Sequence, residues 1–288
     1  MKLVSFEVNR NERFGAVLET GVVDLTGVID GAKTLQQLLA QDGLQAARRY
    51  CSNAVPTLAL GECKLLPVIT RPSKIICLGL NYRSHAEEVG KPLPRQPVVF
   101  HRHAQTLVAH RAPLLKPMVS EQFDYEGELA VVIGKGGGHI AEDDALQHVA
   151  GYACFNEASV RDWQRHSHLY GMGKNFRSSG ALGPCLVTAD EIPDPTTLKL
   201  RTLLNGEEVQ RCSLDDLIFS IPQLIAYVSQ AIDWLPGDIL VTGTPSGVGL
   251  FRTPPRFLKA GDVVDVEISN IGTLRNSIAN ETTESLRH

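Results

Sequence analysis

Apolar residues in this chain fall mostly into short runs punctuated by glycine, proline or polar clusters, the pattern of buried strands of ordinary length. The clearest run is Leu129-Ala130-Val131-Val132-Ile133, closed by Gly134 and preceded by Asp124-Tyr125-Glu126-Gly127-Glu128. Further strands are expected at 2–6, 15–18, 22–25, 64–66, 74–80, 97–100, 151–155, 183–188 and 239–242, with 263–268 the last. A hairpin joins 198–204 to 207–211 around Asn205-Gly206, a strong turn signal. Helical periods are fewer. Thr34 caps a helix running to Tyr50 with a break near Gly43, and Asn81 to Gly90 is a short helix closed by its glycine. Residues 143–149 form another, Ser159 caps a fourth, and Ser220 with Pro222 opens a fifth that runs to about Trp234. The tail after Asn280 is expected to fray.

The chain has 288 residues, more than one ordinary domain, and its prolines thicken towards residue 70. That break divides it into a small N-terminal domain, 1–70, and a larger one, 71–288. A hydrophobic content of 43% supports a sizeable core. A net charge of −4 without a basic stripe argues against nucleic acid as a partner. The opening MKLVSFEVNR lacks the apolar core of a signal peptide, and no apolar run approaches a membrane span. Six scattered cysteines form no Cys-x-x-Cys pair, and three lie inside apolar runs, where a reduced thiol behaves as a small hydrophobe. The expectation is a reduced, cytoplasmic protein with no membrane partner.

Against that frame a few polar residues stand out. Glu126 and Glu128 share one face of their strand, about 7 Å apart along the chain. Side by side next to buried strand they repel and lose hydration, and a hard divalent cation (Mg²⁺, Mn²⁺ or Ca²⁺) would compensate both. The bland alternative is a solvated strand end. Glu157 ends the strand after Gly151, a place where a third carboxylate can enter. His85 and Glu88 lie three apart on one helical face, so the carboxylate can fix the imidazole tautomer and strengthen the other nitrogen as a base. The loop that follows, Lys91 to Arg95, can hinge a lid. Arg161 and Gln164, again three apart, offer a cation and an amide to a carboxylate and a carbonyl. Lys174 sits in a glycine-flanked loop, and Thr242 to Gly249 lets backbone amides and a hydroxyl approach a ligand. His101-Arg102-His103 lacks a third nearby zinc ligand and reads as structural, and Gly134 to His139 reads as a turn.

Four of these segments, taken in order, resemble one family. Asp124-Tyr125-Glu126-Gly127-Glu128-Leu129, Asn156-Glu157-Ala158-Ser159-Val160-Arg161-Asp162-Trp163-Gln164, Gly173-Lys174-Asn175-Phe176 and Thr242-Gly243-Thr244-Pro245-Ser246-Gly247-Val248 are similar to the fumarylacetoacetate hydrolase family, over roughly residues 70–280. The resemblance implies an α+β fold: a catalytic domain of layered mixed β-sheets with short helices, here preceded by the small N-terminal α/β domain. It implies a homodimer and a divalent metal, Mg²⁺ or Mn²⁺ with Ca²⁺ a further candidate, held by Glu126, Glu128 and Glu157. It implies His85, Glu88, Lys174 and Gln164 in catalysis and Arg161, Thr244 and Tyr82 at the substrate. Two positions depart from the family pattern: Glu157 stands where aspartate is common, and Arg177-Ser178-Ser179 where Asp-Thr-Phe is common.

The reaction the resemblance implies first is hydrolysis of an acylpyruvate, such as the maleylpyruvate or fumarylpyruvate of aromatic catabolism, to pyruvate and a carboxylic acid. A cation would polarise the 2-oxo carbonyl of such a 2,4-dioxo acid. His85 would draw a proton from water, and Lys174 and Gln164 would steady the oxyanion. Alternatives at the same site are decarboxylation, isomerisation or dehydration of a 2-oxo acid: oxaloacetate, a hydroxymuconate-type diacid or a 2-keto-3-deoxy sugar acid. A non-catalytic metal- or ligand-binding protein is the alternative of another class.

Overall fold

A strand buried on both sides organises the molecule. In the computed structural model, which describes residues 1–283, Gly127–Ile133 runs through the middle of the largest sheet and every one of its residues is buried. Its side chains alternate between two cores. Leu129, Val131 and Ile133 pack on one face, whereas Ala130 and Val132 pack on the other. A strand covered on both faces has no polar side to show, which is why its sequence reads as continuous rather than alternating.

Among the described residues this sheet has eleven strands. Its main path runs Gly21–Asp24, Asn11–Leu18, Lys2–Val8, Gly180–Thr188, Val149–Glu157, Gly127–Ile133, Ile239–Val241, Ile75–Gly79 and Val98–Arg102. Most neighbours are antiparallel, but Ile239–Val241 and Ile75–Gly79 run parallel. The first strand pairs with Gly180–Thr188, so the segment before residue 70 continues the same sheet. A second sheet of five strands, Glu207–Ser213, Lys199–Leu204, Val263–Ile268, Gly272–Asn280 and Leu114–Lys116, encloses one core against the first. Helices Leu35–Ala40 and Leu44–Cys51 close the other core. The layered α+β arrangement expected from the sequence is what forms.

Several local expectations hold. The Thr34 hydroxyl accepts from the Gln37 amide, and the helix it starts breaks before a second one begins at Leu44. Asn205 and Gly206, with φ of 54° and 84°, make the hairpin turn. Ser220 and Gln223 cap helix Ile221–Ser229 reciprocally.

Others need correction. That helix stops at Ser229 rather than near Trp234, because Trp234 exchanges backbone hydrogen bonds with Gly137. Val263–Ile268 is followed by a further strand, Gly272–Asn280, whose alternating buried and exposed residues pair along its length. Ser159 caps no helix, since its hydroxyl bonds the Glu157 carbonyl and its backbone pairs with Asp124. Residues Glu142–His148 form a 3₁₀ helix, and Val149 already belongs to the next strand. Of the tail expected to fray, Glu281 still donates to the Lys116 carbonyl, and 284–288 lie outside the described residues. Among the described residues no helix is long and apolar enough to cross a membrane.

Candidate active site

At one end of the large sheet the apolar alternation gives way to charge. Glu128, Glu157 and Arg102 stand on the face that Ala130, Phe155 and Phe100 occupy further along their strands. Glu126 precedes its strand by one residue and is tied in by two bonds. Its amide donates to Asn156 Oδ1, and its carbonyl accepts from the Glu157 amide. Carboxylate oxygens of Glu126, Glu128 and Glu157 consequently lie within 4.8 Å of one another, all buried. Between the two glutamates only glycine fits. A Cβ on Gly127 would stand 2.0 Å from Thr202 Oγ1 of the second sheet.

Three cations meet these acids. Lys174 Nζ bridges Glu126 at 2.7 Å and Glu157 at 2.8 Å. Arg161 reaches Glu126 at 2.5 Å through Nη1 and Asp124 at 2.8 Å through Nε. Arg102 stands behind Glu157 at 3.7 Å. Four carboxylates, Asp124 included, thus face three cations at a depth where an unpaired charge is costly. Burial pushes Glu126 up, but Arg161 and Lys174 outweigh it and hold the carboxyl down at about 2. Burial, with Glu157 and Glu126 beside it, pushes Glu128 well above the usual carboxylate range. Burial lowers Lys174, but Glu126 and Glu157 more than reverse this.

The arrangement fits a hard divalent cation. Glu128 takes the Gly243 amide on Oε2 at 2.6 Å, while its Oε1 is buried without a hydrogen-bond partner among the described residues. Oxygen donors left bare in a pocket of excess negative charge are what Mg²⁺ or Mn²⁺ binds. The three glutamates named from the sequence are the residues that could hold it.

Above this floor lies a cavity of about 690 Å³ whose lining includes His85, Glu126, Arg161, Gln164, Lys174 and Thr244. His85 belongs to the short helix Arg83–Val89, closed by Gly90 at φ 67°. Its Nδ1 is 2.8 Å from Glu88 Oε2, and Glu88 Oε1 accepts the Gly247 amide at 2.8 Å. The imidazole is thereby oriented from one side, with its other nitrogen available, and its ring meets Phe251 edge to face. Arg161 and Gln164 bond each other at 3.0 Å, as their spacing suggests, which leaves Arg161 Nη2 buried and unpartnered and the Gln164 amide nitrogen free of that bond. The Lys174 segment, expected as a loop, is the short helix Gly171–Lys174.

Two expected substrate contacts stand differently. Tyr82 is fully buried in the apolar core and does not line the cavity. Thr244 lines it, but its hydroxyl donates to the Gly127 carbonyl and accepts from Gln210, so it also braces the Glu-x-Glu turn.

Three contributors escaped the sequence reading. Asp124 is buried and holds Arg161 together with the amides of Tyr125, Gly249 and Leu250. Gln210, from the second sheet, accepts the Gly127 amide and donates to Thr244 and Pro245. Arg102 hid between two histidines. Strand alternation, which puts it on the buried side with Phe100, was the signal for it.

Comparison with known proteins places this geometry. Residues 74–279 match the fumarylacetoacetate (FAA) hydrolase C-terminal family. The chain is 42% identical over 250 residues to "oxaloacetate tautomerase FAHD2A, mitochondrial" of Homo sapiens, covering 85% of this chain and 80% of that protein. It is 41% identical over 287 residues to the Rattus norvegicus protein of the corresponding name, covering 96% and 91%. Among solved structures, maleylpyruvate hydrolase from Sphingobium sp. SYK-6 superposes with a TM-score of 0.83 at 28% identity, over 98% of this chain and all of that one. The same enzyme was also solved with manganese(II) and pyruvate, and matches with a TM-score of 0.83 at 26% identity. The word mitochondrial in the mammalian names lends the cytoplasmic expectation no support.

Proposed function

The chain belongs to the fumarylacetoacetate hydrolase family, and from that premise we propose that it moves a proton on a 2-oxo diacid of the oxaloacetate type, interconverting its enol and keto forms. The observation that carries this is the His85–Glu88 pair at the mouth of a cavity lined by Glu126, whose carboxylate clusters with those of Glu128 and Glu157. Glu126, Glu128 and Glu157 would hold Mg²⁺ or Mn²⁺. Bound there, the cation supplies charge that polarises a 2-oxo carbonyl and lowers the barrier to losing a proton beside it. Arg161, with Nη2 unpartnered, takes a substrate carboxylate. The Gln164 amide nitrogen donates to an oxygen beside it. The free nitrogen of His85 takes the proton from one position and returns it to another, while Glu88 balances the imidazolium charge. Phe251 and Leu250 line the cavity on that side, and Phe251 packs edge to face on the His85 ring.

The relatives' names and the fate of Lys174 together favour this over the hydrolysis that the sequence suggested first. Identity is 41–42% to proteins named tautomerases and 28% to the hydrolase. Hydrolysis also needs a donor for an oxyanion at the acyl carbon. Of the two residues cast in that role Gln164 keeps its amide nitrogen, but Lys174 commits two of its three N–H groups to Glu126 and Glu157, and its Nζ stands 5.2 Å over the Phe100 ring. Acylpyruvate hydrolysis is the second reading, supported by the likeness to maleylpyruvate hydrolase and by a base equally able to activate water.

One assay separates them. Purified protein with Mn²⁺ is given enol-oxaloacetate and, separately, a panel of acylpyruvates. Enol absorbance that decays without pyruvate release supports the tautomerase. Pyruvate and a carboxylic acid formed from an acylpyruvate, with oxaloacetate untouched, would replace that reading by hydrolysis.

A further inference from the structure

Arg102 has no part in the mechanism above, yet it is the most deeply placed cation of the site, with a side chain 0% exposed. Its Nη2 donates to Ser179 Oγ at 2.6 Å, and the Ser179 hydroxyl in turn donates to the Phe176 carbonyl at 2.6 Å. Its Nη1 is 3.7 Å from Glu157 Oε1, and neither atom has a hydrogen-bond partner. The guanidinium carbon stands 5.9 Å from the centre of the Phe155 ring. Small neighbours make the space. A Cβ on Gly180 would come within 2.9 Å of Arg102 Nη2, so that position is cut to fit the guanidinium.

The two departures from the family pattern that the sequence showed meet at this arginine. Glu157 brings the longer arm, and Ser179 brings the small polar side chain on which the guanidinium rests.

We propose that Arg102, seated on Ser179 and Gly180, is a positioning residue that retains Glu157 Oε1, so that Glu157 offers a divalent cation Oε2 alone, the oxygen Lys174 holds at 2.8 Å in this structure, alongside Glu126 and Glu128. The inference rests on the reading that these glutamates hold such a cation. Its logic is geometric. The extra methylene of glutamate gives the carboxylate freedom that a ligand cannot keep, and a charged donor on the far oxygen removes it. Single-oxygen contact also favours small octahedral ions over Ca²⁺, which accepts carboxylates through both oxygens.

The test is cation affinity, measured by calorimetry on the purified, metal-stripped full chain with Mn²⁺ and with Ca²⁺. Ser179→Ala keeps every charge and removes only the seat of the guanidinium. It should weaken Mn²⁺ several-fold and Ca²⁺ less, narrowing the selectivity between them. Arg102→Met should weaken Mn²⁺ roughly 10- to 100-fold, the usual cost of losing a partner of a ligand. Arg102→Lys should recover part of that loss. A merely structural role would not move the Mn²⁺-to-Ca²⁺ ratio, and thermal melts identify any variant that fails to fold, in which case Ser179→Ala decides. If Ser179→Ala binds both ions as the parent does, or Arg102→Met binds both more tightly, Arg102 acts only as background charge and the proposal is overturned while the cation site stands. If the parent chain binds neither ion, the cation site falls and the proposal with it.

Discussion

The floor and the mouth of the cavity are built to opposite rules. On the floor, the side chains of Glu126, Glu157, Arg161, Lys174 and Arg102 are at most 5% exposed, and they stand at strand ends or on one-turn helices beside them. At the mouth, His85 and Glu88 are 12% and 18% exposed and ride on a seven-residue helix, too short to be stable unaided. Charges packed that closely in low dielectric must stay fixed, because any unpaired one costs several kcal/mol. A base that cycles a proton instead needs some water and a little freedom. The floor serves to hold charge, the mouth to move it.

The widest test of that division removes floor and mouth separately. Glu128→Ala deletes the one carboxylate of the three that, among the described residues, no cationic side chain contacts in a hydrogen bond or ion pair. It should abolish Mn²⁺ binding by calorimetry and lower turnover on the order of 10³-fold or more, since a bound cation contributes several kcal/mol. Stripping the parent with chelator should do the same, and Mn²⁺ should reverse it. Full activity in the stripped protein would remove the cation from the proposed function.

His85→Ala should leave Mn²⁺ affinity where it was and cut turnover by roughly 10²–10⁴-fold, the span of a lost general base. Glu88→Gln should cost less, since Glu88 orients the ring and does not carry the proton. Loss of Mn²⁺ binding in His85→Ala would erase the distinction between floor and mouth.

The same division explains what the sequence disclosed. Elements set by local pattern were legible: the Gly127–Ile133 strand, the Asn205-Gly206 turn, the Thr34 and Ser220 caps, and the His85–Glu88 spacing. Pairs three apart on one helix need only that helix to form. The floor was legible in its acids and not in their partners. Arg102 reaches Glu157 from a strand on the other side of Gly127–Ile133, 55 residues away in sequence. Gln210 comes from the second sheet altogether. Contacts of that kind are fixed by which strands lie side by side, and no window of sequence contains them. Ser159 misled for the opposite reason. It fitted a local role as a cap, but strand pairing with Asp124 took it.

A third test presses on the floor alone. Lys174→Met leaves Glu126 and Glu157 facing each other without their shared cation. The metal-free variant should lose about 3–5 kcal/mol of stability, the cost of breaking a buried pair, and Mn²⁺ should restore much of it. The acid limb should shift too. Glu126 has its pKa depressed to about 2, so its contribution is full above the ordinary glutamate range and fades as pH falls towards that value. With Lys174 gone the depression shrinks, and acid unfolding followed by circular dichroism should begin at higher pH. Lys174, raised above the usual lysine range, contributes stability up to that range and loses it only as pH climbs past it. The parent should therefore show no comparable loss between neutral pH and about 9. An unchanged acid limb in Lys174→Met would mean that the bridge across Glu126 and Glu157 is not what holds Glu126 ionised.

The smallest expected effect sharpens the comparison at the mouth. Helix Arg83–Val89 has no capping side chain of its own, because Tyr82 occupies the cap position. Asp216 substitutes from the distant 3₁₀ helix Leu214–Asp216, accepting the Ser84 amide at 3.2 Å and the Ser84 hydroxyl at 2.7 Å. At the other end Glu88 is held by the Gly247 amide. The helix is thus pinned by two hydrogen bonds at one end and one at the other, where a single floor residue such as Asp124 is pinned by four. Asp216→Ala removes one pin at about the cost of a lost N-cap, ~1 kcal/mol. Amides of residues 83–90 should then exchange about fivefold faster, because local opening becomes that much more populated. Turnover should fall a few-fold through misplacement of His85, with Mn²⁺ affinity and the melting of the sheets nearly untouched. A variant that instead weakens Mn²⁺ would tie the helix to the floor, and the two regions would have to be treated as one cooperative unit.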